Sequence, residues 1–145
     1  MKVDFYHLTE TPLERVLPSI CEKVLATSER LLLVADPDYL AHLDELLWTY
    51  ARDSFLPHAR REAPRPGTQP ILLTDVPEPL NGAANIALAD GRWREEALGF
   101  ARTFYFFGAD RLDSARATWR ALSKQPEVES RYWKQDERGR WVQSA

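Results

Sequence analysis

Residues 3–35, VDFYHLTETPLERVLPSICEKVLATSERLLLVA, decide the fold class of this chain. The segment VDFYHL (3–8) is rich in residues that favour β-strands, and LLLVA (31–35) is a continuous apolar run typical of strands buried on both faces. Between them, apolar side chains recur at helical spacing, at Leu13, Val16, Leu17, Ile20 and Val24. The segment therefore predicts a strand, a helix and a second strand, the unit from which parallel sheets are built.

The alternation of strands and helices continues toward the C-terminus. Asp36 and Pro37 predict the start of a second helix, because proline is well accepted at the first helical position. The apolar stripe of this helix is Leu40, Leu43, Leu47 and Tyr50. Further strands are predicted at ILLTD (71–75), ANIALA (84–89) and RTFYFF (102–107), and further helices at RWREEALGFA (92–101) and ADRLDSARATWRALSK (109–124).

Three local features complete the predicted organisation. Pro57 and the run APRPGTQP (63–70) predict a long loop, and Asp110 is expected to be the N-cap of the last helix. The segment SRYWKQDERGRWVQ (130–143) predicts a β-hairpin around Gly139. We therefore expect one α/β domain over residues 1–145, in three α/β/α layers, with a mostly parallel sheet covered on both faces.

Composition excludes several classes of protein. With 145 residues, 44% apolar and 28% charged, the chain has ordinary globular composition. A net charge of -3 gives little drive for a broad nucleic-acid surface. No apolar run approaches the roughly 18 residues of a membrane span. The single cysteine, Cys21, excludes an internal disulfide and fits a cytoplasmic location.

The sequence shows no motif for catalysis, a metal or a cofactor. Its six glycines form no phosphate-binding pattern, and one cysteine cannot build a thiolate metal site. His7, His42 and His58 are far apart along the chain. Catalytic groups can still assemble from distant positions, so a Rossmann-like enzyme or nucleotide-binding protein with a strand-end cleft near Asp36 remains an alternative.

The last helix combines a tryptophan with a row of cations. Leu112, Ala115, Trp119 and Leu122 fall on one stripe, and along its flank Arg116, Arg120 and Lys124 follow one another at four-residue spacing. One interpretation is a buried tryptophan beside a solvated basic face. The other is a pocket for an acidic, aromatic ligand, because guanidinium groups bind carboxylates and the ring supplies apolar area.

A second tryptophan lies in the segment LDELLWTYARDSFLPH (43–58). Trp48 falls off the stripe formed by Leu40, Leu43 and Leu47, so it must either pack under a neighbouring loop or face solvent. Phe55, in the following segment, is placed where it could cover the Trp48 ring.

Five segments, in order, resemble the chi subunit family of bacterial DNA polymerase III holoenzyme: LDELLWTYARDSFLPH, PILLTD, FARTFYFF, ARATW and YWKQDERGRW. The resemblance spans nearly the whole chain and implies a Rossmann-like domain without catalysis of its own. It also implies two partners, which are the psi subunit or another clamp-loader component, and the acidic C-terminal tail of single-stranded DNA-binding protein, which ends in Phe. Carried over by motif, the tail-binding residues are Trp48, Phe55, Arg116, Trp119 and Arg120, with Lys124 beside them.

These observations lead to a hypothesis and two rivals. The chain is expected to bridge the clamp loader and the DNA-binding protein, contacting nucleic acid only indirectly or weakly, with the tail bound between the helices that carry Trp48 and Arg116. The first rival is the enzyme or nucleotide-binding protein near Asp36. The second is direct binding of single strands by stacked aromatic rings and arginines.

Overall fold

The computed structural model describes residues 1–50 and 56–145. Within these residues there are three α-helices, α1 (Leu13–Ala26), α2 (Pro37–Thr49) and α3 (Leu112–Leu122). Three short 3-10 helices also occur there, at Pro66–Thr68, Glu95–Gly99 and Ala109–Arg111. The strands of the described residues are β1 (Lys2–His7), β2 (Leu31–Val34), β3 (His58–Arg60), β4 (Ile71–Thr74), β5 (Asn85–Leu88), β6 (Arg102–Phe107), β7 (Glu129–Gln135) and β8 (Trp141–Gln143).

These strands form one eight-stranded sheet in the order β3-β4-β2-β5-β6-β1-β7-β8. All neighbouring strands are parallel except β7 and β8, which form the antiparallel C-terminal hairpin. The connections that contain α1 (β1 to β2) and α2 (β2 to β3) both run toward the β3 edge of the sheet. The connection that contains α3 (β6 to β7) runs toward the β8 edge. Because parallel crossovers are right-handed, α1 and α2 cover one face and α3 covers the opposite face.

Two apolar cores, one on each face, confirm this three-layer arrangement. One core packs α1 and α2 against strand residues such as Leu31 and Leu33. The other packs Ala115 and Leu122 of α3 against the alternate strand residues, such as Leu32. Successive strand residues point to opposite faces, so a strand that is apolar throughout serves both cores. The predicted Rossmann-like α/β fold with a mostly parallel sheet and a C-terminal hairpin is therefore confirmed.

The predicted helix at residues 92–101 is wrong, because the structure forms only the 3-10 helix Glu95–Gly99 there. Arg94 is held just before it by two hydrogen bonds to the Asp90 carboxylate, 2.9 and 2.8 Å long. This attachment keeps Arg94 extended, at φ -129° and ψ 122°, so the regular structure starts only at Glu95.

Two details near predicted loops and caps also differ. The predicted loop that begins at Pro57 contains β3, which pairs in parallel with β4. A three-residue strand is too short to show the alternation by which strands are recognised. Asp110 is not the N-cap of α3, because it lies inside the 3-10 helix Ala109–Arg111, which leads directly into α3.

The hairpin turn was correctly predicted. Gly139 has φ +78°, a conformation that favours glycine. The Asp136 carboxylate accepts the backbone N–H groups of Arg138 and Arg140, each at 2.9 Å. None of the described helices has the length and apolar character needed to cross a membrane.

Candidate cation–aromatic site on the α3 face

The strongest candidate site lies on the outer flank of α3. Ala115 and Leu122 are buried beneath the helix, whereas Arg116, Arg120 and Lys124 are exposed. Trp119 lies between these extremes and is only partly buried. The structure thus brings Arg116, Trp119 and Arg120 together on one helix surface, and Lys124 follows just beyond the end of α3.

The Trp119 ring is held by two other aromatic rings. It packs edge-on against Phe5 of β1, with ring centroids 5.2 Å apart, and against Tyr132 of β7, at 5.7 Å. Such edge-to-face contacts fix the ring orientation and add about 0.5–1.5 kcal/mol each beyond the buried area. One part of the indole is therefore core, and the rest is presented to solvent beside the arginines.

Strand pairing adds two residues, Tyr132 and Lys134, that the sequence patterns did not identify. β1 and β7 are in parallel register, with Phe5 opposite Tyr132 and His7 opposite Lys134. Tyr132 and Lys134 are two positions apart, so they point to the same face of the sheet as α3. The Tyr132 hydroxyl lies 3.3 Å from Nδ1 of His7. We call Arg116, Trp119, Arg120, Tyr132 and Lys134 the cation–aromatic site.

Electrostatics at this site reflect the concentration of positive charge. Burial lowers the pKa of His7 below its ordinary value, and the charges of Lys134 and Arg116 lower it further. Burial raises the pKa of Tyr132, and Arg116 opposes that rise. Arg116 thus acts on both groups from α3. A site with several cations beside partly exposed rings is suited to bind a carboxylate that carries an aromatic or aliphatic group.

Trp48 lies elsewhere, at the end of α2. Its side chain is 53% exposed, and its ring centroid is 4.8 Å from that of the buried His58. His58 is fixed in turn, with Nδ1 2.5 Å from the Leu56 carbonyl oxygen and Nε2 3.0 Å from the Asp44 carboxylate. The exposed indole therefore rests on a rigid support. Phe55, predicted to cover it, lies outside the described residues.

The prediction of one pocket between Trp48 and Arg116 is wrong. Trp48 belongs to α2 and contacts β3, the edge strand, whereas Trp119 of α3 packs on β1 and β7. Since α2 and α3 cover opposite faces of the sheet, one terminal side chain cannot be sheltered by Trp48 while its carboxylate pairs with Arg116.

The strand-end cleft near Asp36 is present, with a volume of about 380 Å³, and its charged lining residues are four aspartates, Asp36, Asp38, Asp90 and Asp110, and one arginine, Arg111. The Asp36 carboxylate pairs with Arg92 and Arg94, and Asp90 accepts the backbone N–H of Asp36 at 2.8 Å. Burial acts to raise the pKa of Asp90, but Arg94 and the backbone N–H groups of Arg92 and Asp36 together leave that pKa below its ordinary value. These acids hold adjoining loops together, and the described residues contain no cluster of three or more groups suited to a metal ion.

Comparisons with known proteins agree with the resemblance in the sequence. The profile of the family described as "DNA polymerase III chi subunit, HolC" matches residues 1–127, which include all of α3. A curated relative, "Probable DNA polymerase III subunit chi" from Rickettsia prowazekii (strain Madrid E), is 29% identical over 84 residues, which cover 57% of this chain and 51% of the relative. The chain thus spans about half the length of the curated relative it matches.

Proposed function

Because the chain belongs to the DNA polymerase III chi subunit family, we propose that it is a non-catalytic accessory subunit in DNA replication. In this role it links the clamp loader to single-stranded DNA-binding protein in the cytoplasm. It does so by binding the acidic C-terminal tail of that protein on one face and psi, or another clamp-loader component, on the other. Residues 1–145 are proposed to act as one domain.

The cation–aromatic site is the observation that supports tail binding. The tail is acidic and ends in a Phe with a free carboxylate, so it needs cations beside an apolar surface. Arg116 and Arg120 supply exposed guanidinium groups, and Trp119 with Tyr132 supplies the rings. A charge-assisted hydrogen bond contributes about 1.5–3 kcal/mol, which corresponds to roughly tenfold to a hundredfold in affinity. Lys124 and Lys134 extend the positive surface along the acidic stretch.

The opposite face supports the second half of the proposal. A bridging protein needs two separate surfaces, and Trp48 presents a supported, exposed ring on the α2 side of the sheet. Large aromatic side chains of this kind dominate the binding energy of many protein interfaces. We therefore assign Trp48 to the surface that meets the clamp loader. The role of Phe55 in partner contact stays a prediction from the sequence.

Both rival functions are less well supported. In the Asp36 cleft, Arg92 and Arg94 engage Asp36 and Asp90. Its lining holds four aspartates and one arginine, and this excess of negative charge disfavours phosphates. Direct binding of single strands would rely on counterion release, for which a net charge of -3 provides little drive.

Fluorescence anisotropy with labelled single-stranded DNA tests the proposal. At one salt concentration, DNA coated with its binding protein should recruit this chain, whereas bare DNA should bind weakly. Arg116→Ala should reduce recruitment on the order of tenfold or more. Arg138→Ala, an equal change of charge at an exposed position in the hairpin turn, should not. Equal affinity for bare and coated DNA would favour direct strand binding instead.

A further inference from the structure

A groove with a volume of about 480 Å³ runs between α1 and the C-terminal hairpin, on the sheet face opposite α3. We call it the hairpin groove and define it by Tyr6 and Phe104 on its floor, Arg15 and Lys23 on its α1 wall, and Trp133 and Trp141 on its hairpin side. It shares none of these residues with the cation–aromatic site or with the Trp48 surface.

The length of the groove sets the length of a segment that would fill it. Its α1 wall runs from Arg15 to Thr27, about twelve residues, which is about 18 Å at 1.5 Å per residue. An extended segment of about five residues spans the same length.

The floor of the groove is an ordered aromatic surface. Trp141 packs edge-on against Tyr6, with ring centroids 5.2 Å apart, and Trp133 stacks on Tyr6 at 6.3 Å. Trp133 and Trp141 are only partly buried, although both pack against the apolar core of this face. Neighbouring rings already hold Trp133 and Trp141 in place. An apolar side chain that covers the two rings therefore buries apolar surface without the entropic cost of first ordering them.

The charge of the groove is positive, in contrast to the net charge of the chain. The described residues that line it include three cations, Arg15, Lys23 and Arg102, and one carboxylate, Glu29. In the described part of the chain, neither Arg15 nor Lys23 forms an ion pair.

Two arginines lie beside the floor. The buried Asp4 carboxylate accepts hydrogen bonds from Arg102 Nε at 3.0 Å and from Arg131 Nε at 2.8 Å. The two guanidinium groups thus share one carboxylate, and the charge of Glu129 also acts on Arg131. A matching ligand therefore combines carboxylates with apolar side chains.

We propose that the hairpin groove binds an extended, acidic segment of a partner protein, about five residues long. Its apolar side chains contact Trp133 and Trp141, and its carboxylates pair with Arg15 and Lys23. The segment can lie within a chain, because the groove does not require a terminal carboxylate. A single-stranded nucleic acid is also anionic, and the test includes an oligothymidylate to distinguish it from a peptide. This proposal does not depend on the function proposed for the α3 face.

A labelled peptide tests the groove. The probe is a blocked peptide of about seven residues in which Asp alternates with Phe and Leu, without a free terminal carboxylate. It is titrated by fluorescence anisotropy into Arg116→Ala protein, so that the α3 site is weakened. We expect saturable binding that weakens at least about tenfold in the Arg15→Glu/Lys23→Glu variant. These exposed helix positions tolerate Glu, which is a good helix former.

Controls separate the groove from general charge attraction. Arg61→Glu, at an exposed position near β3, should leave the affinity unchanged, and a peptide with Lys in place of Asp should not bind. The proposal is overturned if the acidic peptide fails to bind, if the Arg15/Lys23 variant binds it like its parent, or if an oligothymidylate binds more tightly through the same residues. None of these results bears on tail binding at α3.

Discussion

At the scale of single residues, the two tryptophans that the sequence singled out have different structural roles. Trp119 is wedged between Phe5 and Tyr132, so removing its ring disturbs a core as well as a surface. Trp48 is 53% exposed, and its loss leaves the apolar stripe of α2 intact. Arg116 is exposed and can be truncated without opening a cavity. Arg116 and Trp48 are therefore the informative positions for binding experiments, and Trp119 is not.

His7 provides a prediction about pH. Its pKa is lowered in the folded protein, by burial first and then by Lys134 and Arg116. Below the unfolded pKa of 6.5 the unfolded state therefore binds more protons at this residue than the folded state does. His7 thus makes the free energy of unfolding fall as pH drops from about 7 to 5. We therefore expect the free energy of unfolding, measured by urea titration at each pH, to fall less between pH 7 and 5 in His7→Gln than in the wild type.

The other groups with lowered pKa values do not obscure this test. Glu14 and Asp90 are carboxyls with ordinary pKa values of 4.5 and 3.8, so their contributions to stability are lost mainly at lower pH. If the free energy of unfolding depends on pH in His7→Gln as it does in the wild type, the imidazole titrates in the folded protein as it does in the unfolded chain.

At the scale of elements, the sequence predicts best where burial is complete. β2, β4 and β6 were all predicted within one residue of their observed ends, because each is a dense apolar or aromatic run. The cation row on α3 was predicted because it follows from helical spacing alone. β3 was missed because it is short, and the helix expected at residues 92–101 was wrong because Arg94 is anchored by Asp90.

The hairpin offers an element-scale prediction about stability. Gly139 has φ +78°, and a Cβ there would meet only Thr11 Oγ1, at an ordinary distance of 3.7 Å. The cost of Gly139→Ala therefore comes from the backbone, and we expect a loss of about 1–2 kcal/mol in the free energy of unfolding. The measurement is urea unfolding, with an unchanged dependence on denaturant concentration.

Gly99→Ala is the matched control for this change. A Cβ at Gly99 has nothing within 4 Å, and the backbone there is not left-handed. The substitution should leave stability unchanged or raise it by a few tenths of a kcal/mol, through loss of freedom in the unfolded chain. If both variants lose the same stability, the conformation of the turn is not the reason for glycine at position 139.

At the scale of the whole molecule, the central result is that Trp48 and Arg116 lie on opposite faces. Short motifs could identify both residues but not their separation, because that depends on the order of strands in the sheet. The connections that contain α2 and α3 lead toward opposite edges, and right-handed crossovers then place the two helices on opposite faces. The two partners proposed above would therefore not compete for one surface.

The most direct test of this account is a calorimetric titration of an acidic peptide with a C-terminal Phe into three proteins. Relative to the wild type, Arg116→Ala should weaken binding roughly tenfold to a hundredfold. Trp48→Ala should bind the peptide like the wild type, since its ring lies on the other face. The same peptide without its Phe should bind weakly to all three. The account is contradicted if Trp48→Ala weakens the peptide as much as Arg116→Ala does, or if Arg116→Ala binds like the wild type while circular dichroism shows both variants folded.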